Sequence, residues 1–540
     1  MTRAPAAAPG EERPGPTLAR WPALCLAALS GLLLAAAFPG PALWPLALAA
    51  PALLALAVEG RRLWAGAGVG LVAGIAFYGP LVAWSSRFLG PVPWAALTVV
   101  MALSFALGAG LIALATRWVP RRFPGRAGRL VALPIAIAGL WSLREQIASS
   151  WPYGGFAWGR IAQSQSNGPL LELVAWLGLT AMGAVMVWWS ILALELARAV
   201  AAGGRDRLAA EASPRPLGSR LLPLALHGAV LAALMAVPAL PLSAHGSVRL
   251  AAVQGDTPEA GYFARGERGD VLAKHLRATR DLVPADADVE AIIWPEGSGD
   301  VSPQYDAGAA EALDRLSADY GGIPILANTV TVEGPREDLR YFNTQFAYAA
   351  DGGWLEQMSK KRPVPFGEYI PDRDFWYQLA PDLIGLVSRG YSPGTDDAIM
   401  AAGGARLGVL ICFDVIEDEV VRGAVRDGAE VLVLPTNNAD FDRTDEASQQ
   451  LAFARMRAVE TGMTAIQVST VGRSAAYDGA GREVASLQWF EPGAMIVDAP
   501  RAAGATPAMA VGRELGWAIA GLGAVLLAGS ARRGERRAPA

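Results

Sequence analysis

The chain has 540 residues, of which 53% are hydrophobic and 18% charged, and a formal net charge of −4. Charged residues run near a quarter in ordinary soluble domains, so this composition argues against a wholly soluble enzyme, and the slight acidity argues against a nucleic-acid partner. Two distant cysteines, Cys25 and Cys412, and three scattered histidines, His227, His245 and His275, rule out a disulfide framework and leave a zinc site or a Ser–His–Asp triad without support.

In chain order, residues 1–20 form a short basic segment. Apolar runs follow at about 21–38, 41–58, 63–84, 91–116, 129–147, 169–196 and 221–242, and an eighth lies at 514–530 before a basic tail, 531–540. A membrane span needs about 20 mostly apolar residues, so 21–243 is predicted to be a membrane domain of seven spans and 514–530 a final transmembrane helix. The first run is too long, and too repeatedly followed by others, to be a cleaved signal peptide. Arginine clusters fall in alternate connections: Arg61 and Arg62, then 117–129, then 198–220, with more at both termini. The opposite short loops hold only Arg87, Arg144 and Arg160. By the positive-inside rule, both termini are expected in the cytoplasm and the segment between spans seven and eight outside.

That segment, 247–502, alternates strand and helix patterns. Buried strands are predicted at Val248–Val253, Val289–Trp294, Ile323–Val330, Phe342–Ala350, Leu407–Phe413, Val431–Pro435 and Ala465–Thr470, with late strands between about 474 and 498. Amphipathic helical patterns lie at about 269–283, 307–320, 417–428 and 446–462. The expected fold is therefore a multi-pass α-helical membrane domain of about eight spans plus an α/β layered domain.

Three short stretches sit where strands end: Ile292-Ile293-Trp294-Pro295-Glu296, the stiff loop from Lys360-Lys361-Arg362 through Pro365-Phe366-Gly367-Glu368-Tyr369, and Leu410-Ile411-Cys412-Phe413-Asp414. Ligands gather at strand carboxyl ends in open α/β sheets, so these groups are candidates for one site. Each also has a plainer reading. A Cys in an apolar strand is usually a small core residue, a Glu after a strand a solvated turn residue, and a basic run an exposed face or a contact to anionic headgroups. Cys25, inside an apolar span, reads as packing.

The ordered Glu, Lys and Cys with these flanks resemble the nitrilase (carbon–nitrogen hydrolase) superfamily. With the multi-pass frame around them, the Trp-Pro-Glu, Pro-Phe-Gly-Glu-Tyr and Ile-Cys-Phe-Asp motifs resemble the apolipoprotein N-acyltransferases over nearly the whole chain. Val253-Gln254-Gly255-Asp256 and Arg455-Met456-Arg457-Ala458-Val459-Glu460 are similar to further family segments. The resemblance implies an αββα sandwich and a Glu296, Lys360, Cys412 triad, with Lys360 chosen over Lys361 because the family's lysine stands eight residues before the glutamate of Phe-Gly-Glu. It implies a supporting role for Glu368. Phe413 and Asp414 replace the Tyr and Glu common beside the cysteine, and Asn438 and Asp440 alter the family's Thr-Asn-Asp-Ala-Trp-Phe stretch. The implied reaction moves an acyl chain from the sn-1 ester of a membrane phospholipid to the α-amino group of diacylglyceryl-cysteine apolipoproteins, through a Cys412 thioester, with no metal or cofactor. The implied place is the bacterial cytoplasmic membrane.

Tyr262, Phe263, Trp376 and Trp489 are candidate lipid contacts. Trp376 lies in the apolar segment 374–387, which is either packed on the domain or a lid that dips into the membrane. The aromatic loop from Trp151 to Arg160 is either an interfacial belt or part of a lipid access path. A membrane-anchored amidase and a non-catalytic lipoprotein-binding scaffold are the rival readings. A transporter is disfavoured, because ionisable residues inside the spans are few.

Overall fold

The computed structural model describes residues 15–208, 217–257, 267–387 and 390–531. Tyr262 and Phe263 lie outside the described residues, as does most of the basic tail.

All eight apolar runs are helical. They form α1 (Arg20–Ala36), α2 (Leu46–Val58), α3 (Leu63–Leu81), α5 (Pro91–Arg122), α6 (Leu133–Ala148), α7 (Leu173–Leu208), α8 (Leu217–Met235) and α15 (Pro507–Ala531), with a single turn α4 (Ser86–Leu89) between α3 and α5. Five of these stretches are long and apolar enough to cross a membrane: Leu63–Leu81, Pro91–Arg122, Gly128–Ala148, Leu173–Ala202 and Pro507–Ala531. The other three are shorter than expected. α2 starts only after Pro45, and α8 stops at Met235 because Pro238 and Pro241 cannot continue a helix. α7 runs past its predicted end and is broken at Gly178, whose φ of 73° only glycine adopts freely. Small residues let these helices approach closely. A Cβ on Gly70 of α3 would fall 2.2 Å from Ala109 Cβ on α5, and one on Gly139 of α6 would fall 2.7 Å from the backbone of Gly523 on α15.

The second domain contains two six-stranded sheets, ordered β12-β1-β2-β3-β4-β5 and β11-β10-β9-β8-β7-β6. The first is built from β1 (Ala244–Gln254), β2 (Ala291–Ile293), β3 (Ile325–Glu333), β4 (Arg340–Ala349) and β5 (Gly353–Ser359). The second is built from β6 (Ile399–Ala402), β7 (Ala405–Val409), β8 (Val431–Thr436), β9 (Ala465–Ser469), β10 (Ala475–Tyr477) and β11 (Glu483–Ser486), and β12 (Gly493–Ala502) returns to pair with β1. Three strands at the centre of each sheet are parallel, β1-β2-β3 and β7-β8-β9, and the outer ones antiparallel.

The side-chain period of two sets the layers. Ala251, Val253, Ile292 and Ile325 pack under α9 (Asp270–Leu282) and α10 (Ala307–Asp319). Their neighbours Leu250, Ala252, Ile293 and Leu326 face the second sheet. That sheet is covered by α13 (Asp418–Arg426) and α14 (Asp445–Thr461), giving the expected αββα sandwich. The segment 374–387, expected as a loop, contains two short helices, α11 (Arg373–Leu379) and α12 (Pro381–Ile384). Phe375, Tyr377 and Leu379 point into solvent. β5 and β6 were not expected; β5 carries Gly353, Glu356 and Gln357, which break the apolar alternation.

The sandwich is docked on the bundle, and the apolar core is continuous between them. It meets the connections α1–α2, α3–α5 and α6–α7, which lie at the arginine-poor end of the bundle. At the other end Glu59 and Glu195 gather Arg129 and Arg198. Arg144, counted above with the loops, is inside α6, buried and paired with Glu145 at 2.9 Å. Cys25 is exposed on the outside of the bundle rather than packed within it.

Candidate active site

Glu296 follows β2. Its approach is held by Trp294 N donating to Leu326 O (2.8 Å) and Gly297 N donating to Asn328 Oδ1 (2.7 Å). Lys360 follows β5, with its N–H on Asn343 O at 2.8 Å. The lysine ammonium is 2% exposed and sits between two carboxylates, 3.1 Å from Glu296 Oε1 and 2.9 Å from Glu368 Oε1. Asn343 Nδ2 donates to the same two oxygens, at 2.6 and 3.2 Å, and Asn328 Nδ2 holds Asn343 Oδ1 at 2.9 Å. Lys361 makes no hydrogen bond through Nζ among the described residues.

Cys412 is not in a strand, although the sequence predicted one over Leu407–Phe413. β7 ends at Val409, and Cys412 opens a 3-10 turn, Cys412–Ile416, with φ of 52°. A left-handed non-glycine residue costs about 1–3 kcal/mol, and here it turns the thiol out of the sheet. Asp414 is fully buried behind it. Its two oxygens accept from the backbone of Lys361 (3.2 Å) and Arg362 (2.8 Å), which ties the lysine segment to the cysteine turn. Phe413 stacks on Phe156 of the membrane-domain loop, with centroids 6.3 Å apart.

The electrostatics follow from burial. Burial alone would lower the Lys360 ammonium, but the Glu296 and Glu368 charges outweigh it and hold Lys360 well above its ordinary value. Burial pushes the Cys412 thiol well up; the Glu296 charge adds to the push and Lys360 opposes it. Burial raises Asp414 to about 6, against Lys360 and the two backbone N–H donors. Glu446, the buried acid on α14, rises to about 8 through burial, opposed by its hydrogen bond from Asn438 and reinforced by the Glu296 charge. Among the described residues no His/Cys/Asp/Glu group is arranged to hold a metal.

The site is roofed from two sides. Phe366, in the loop carrying Glu368, packs edge-on against Trp376 of α11 (5.3 Å) and Tyr153 (5.8 Å). Trp376 Nε1 donates to Tyr153 Oη at 3.3 Å, and Tyr153 Oη donates to Asp372 at 3.0 Å. The aromatic loop thus divides its work. Trp151 is exposed, whereas Trp158 is buried, packs on Phe453 of α14 and donates to Gln449 Oε1 at 2.7 Å. Trp489 lies in the turn before β12, with the Arg443 and Arg473 guanidinium groups over its ring. Sequence reasoning missed Asn343 and Gln450, and saw in Asn438 only a departure from a family motif. They lie inside predicted strand, loop and helix patterns, where an amide looks like any polar residue.

A buried carboxylate–lysine pair beside a strained cysteine turn, on an αββα sandwich docked to a bundle of membrane helices, defines a membrane-bound enzyme of the carbon–nitrogen hydrolase class. The carbon–nitrogen hydrolase family matches residues 249–506, and the apolipoprotein N-acyltransferase N-terminal domain matches residues 30–192. The apolipoprotein N-acyltransferase of Azotobacter vinelandii is 30% identical over 98% of both chains. That of Mycolicibacterium smegmatis is 31% identical over 79% of this chain and 71% of its own. A crystal structure of an amidase from Nesterenkonia sp. aligns at 22% identity with 48% of this chain and 93% of that one, with a TM-score of 0.35. The chain belongs to the apolipoprotein N-acyltransferase family, and it is an acyltransferase.

Proposed function

We propose that the enzyme takes an acyl chain from the sn-1 ester of a membrane phospholipid and delivers it to the α-amino group of diacylglyceryl-cysteine apolipoproteins. The observation that carries this reading is the Lys360 ammonium held between Glu296 and Glu368 beside the Cys412 turn, in a chain of this family. Cys412 attacks the ester carbonyl while its proton passes to Glu296. Lys360 stabilises the tetrahedral oxyanion in a water-poor site. Collapse expels the lysophospholipid, which leaves with the proton from Glu296, and a thioester remains on Cys412. The acceptor amine attacks the thioester and gives its proton to Glu296. Collapse forms the amide, and the proton returns to the sulfur. Two half-reactions through one covalent intermediate are ping-pong.

In this reading residues 21–243 and 514–530 span the bacterial cytoplasmic membrane, both termini are cytoplasmic, and the domain at 247–502 is outside. Support comes from the position of the sandwich at the arginine-poor end of the bundle. Tyr262, Phe263, Trp376 and Trp489 are proposed lipid contacts, with the exposed apolar face of α11 as the lid that meets the bilayer.

Intact mass spectrometry of the full chain with phospholipid tests the reading. Wild type is expected to gain one acyl chain, released by hydroxylamine or by a diacylglyceryl peptide, and Cys412→Ala to gain none. An unmodified wild-type protein that hydrolyses small amides in the same preparation would replace the transferase reading with that of an amidase.

A further inference from the structure

The sulfur of Cys412 carries negative charge twice in the cycle, as the nucleophile before attack and as the group expelled from the thioester. Its surroundings oppose that charge. Burial and the Glu296 carboxylate both push the thiol up, and Glu446 and Glu368 add to the push. The Lys360 cation, which lowers it, is already shared between Glu296 and Glu368. Asp414 is spent on the backbone of Lys361 and Arg362. A neutral donor to the sulfur would stabilise the thiolate without adding a charge to this balance.

α14 supplies one. Gln450 is buried, and its Nε2 lies 3.5 Å from Cys412 Sγ, the one hydrogen bond to that sulfur among the described residues. The amide is oriented by its other end. Gln450 Oε1 accepts from Asn438 Nδ2 at 2.7 Å. Asn438 is itself oriented, because its Oδ1 accepts from Ser469 Oγ at 2.7 Å, and its Nδ2 also donates to Glu446 Oε2 at 2.7 Å. A flipped Gln450 would set two N–H groups against each other at Asn438 and an oxygen against the sulfur, so the network fixes the donor on Sγ. Asn438, Glu446 and Gln450 are all buried, so this order is held by packing as well as by hydrogen bonds.

We propose that Gln450 is a catalytic residue: its side-chain amide donates to Cys412 Sγ, stabilising the thiolate in attack and again when the C–S bond breaks and its electron pair returns to sulfur. Asn438 is the positioning residue that aims it. The proposal rests on Cys412 being the nucleophile.

The test measures the thiolate without any lipid. In full-length protein carrying Cys25→Ser, which removes the second cysteine, alkylation of Cys412 by iodoacetamide is followed by intact mass across a pH series. Gln450→Leu is expected to move the reactivity midpoint to higher pH and to slow alkylation below it by about tenfold, the worth of a hydrogen bond to a charged group. Gln450→Glu, nearly isosteric, is expected to slow it further, and Gln450→His, which keeps an N–H, to recover part of the loss. A folded Gln450→Leu or Gln450→Glu protein with the wild-type profile would overturn the proposal. Acyl transfer surviving in Cys412→Ala would instead overturn the nucleophile on which it rests, so the two failures are separable.

Discussion

Arg160 and Asp418, 258 residues apart in sequence, form a two-pronged ion pair with N–O distances of 2.6 and 2.9 Å. Arg160 belongs to the aromatic loop of the membrane domain. Asp418 begins α13, just past the Cys412 turn, and Arg160 also donates to Ile416 O in that turn at 3.3 Å. Arg457 of α14 binds Asp418 Oδ1 at 2.8 Å and pairs with Glu460. Despite burial, the two guanidinium groups hold Asp418 far below the usual carboxylate range. The bundle therefore grips the catalytic domain at the base of its cysteine turn.

Arg160→Ala is expected to lower stability by about 1–3 kcal/mol, less than a fully buried pair because Asp418 is a third exposed. Arg160→Lys is expected to recover little, since an ammonium cannot make the two-pronged contact. Thermal unfolding in detergent, read beside acyl transfer, checks both. An unchanged Tm and rate in Arg160→Ala would remove the grip.

Lys360→Met leaves Glu296 and Glu368 facing each other without a cation. The oxyanion donor is lost, and the two carboxylates lose the charge that holds them in place. Acyl-enzyme formation is expected to fall by at least about 10²-fold. Glu296→Gln is expected to fall similarly. Rapid-quench mass measurement of the acylated fraction reads both without the second half-reaction.

Glu446 sets a pH dependence of opposite sign to that of an ordinary ion-paired acid. Its pKa is about 8 when folded, against an ordinary value of 4.5. Between those values the native protein keeps a proton that the unfolded chain has lost, so stability falls as pH rises through the window. Glu417, raised to about 7 chiefly by burial, acts in the same direction. Tm is expected to drop by several degrees between pH 5 and pH 8, and Glu446→Gln to flatten that drop. A Tm rising over this range, or the same slope in Glu446→Gln, would contradict it.

The exposed face of α11 predicts a binding defect separate from the chemistry. Phe375→Ser with Leu379→Ser is expected to raise the apparent KM for phospholipid in vesicles by about tenfold, the loss of on the order of 50 Å² of apolar contact. Iodoacetamide reactivity of Cys412 is expected to be unchanged. Equal loss of both would mean that the helix props the Phe366 loop rather than meeting lipid.

Much of this molecule is legible in the chain. The apolar runs are long, and helices follow from them wherever proline does not intervene. Strands such as Val431–Thr436 and Ala465–Ser469 are β-branched and bounded by turn residues. β5 was missed because Gly353, Glu356 and Gln357 hide the period of two, and it pairs along β4. Cys412 was misplaced by a few residues for a related reason. Leu410 and Ile411 are as apolar as the strand before them, and nothing local records that the chain leaves the sheet after Val409.

The sequence by itself offered the candidate groups for the chemistry and the number of apolar helices, because motif spacing and hydropathy are local properties. Only the tertiary structure decided that Asn343 bridges Glu296 and Glu368, that Arg160 reaches Asp418, and that Gln450 faces the Cys412 sulfur. Each of those depends on which way a side chain points and on what a distant segment brings to meet it. Burial makes the outcome strict, because a charge or an amide inside the protein must find its partner or raise the energy of the fold.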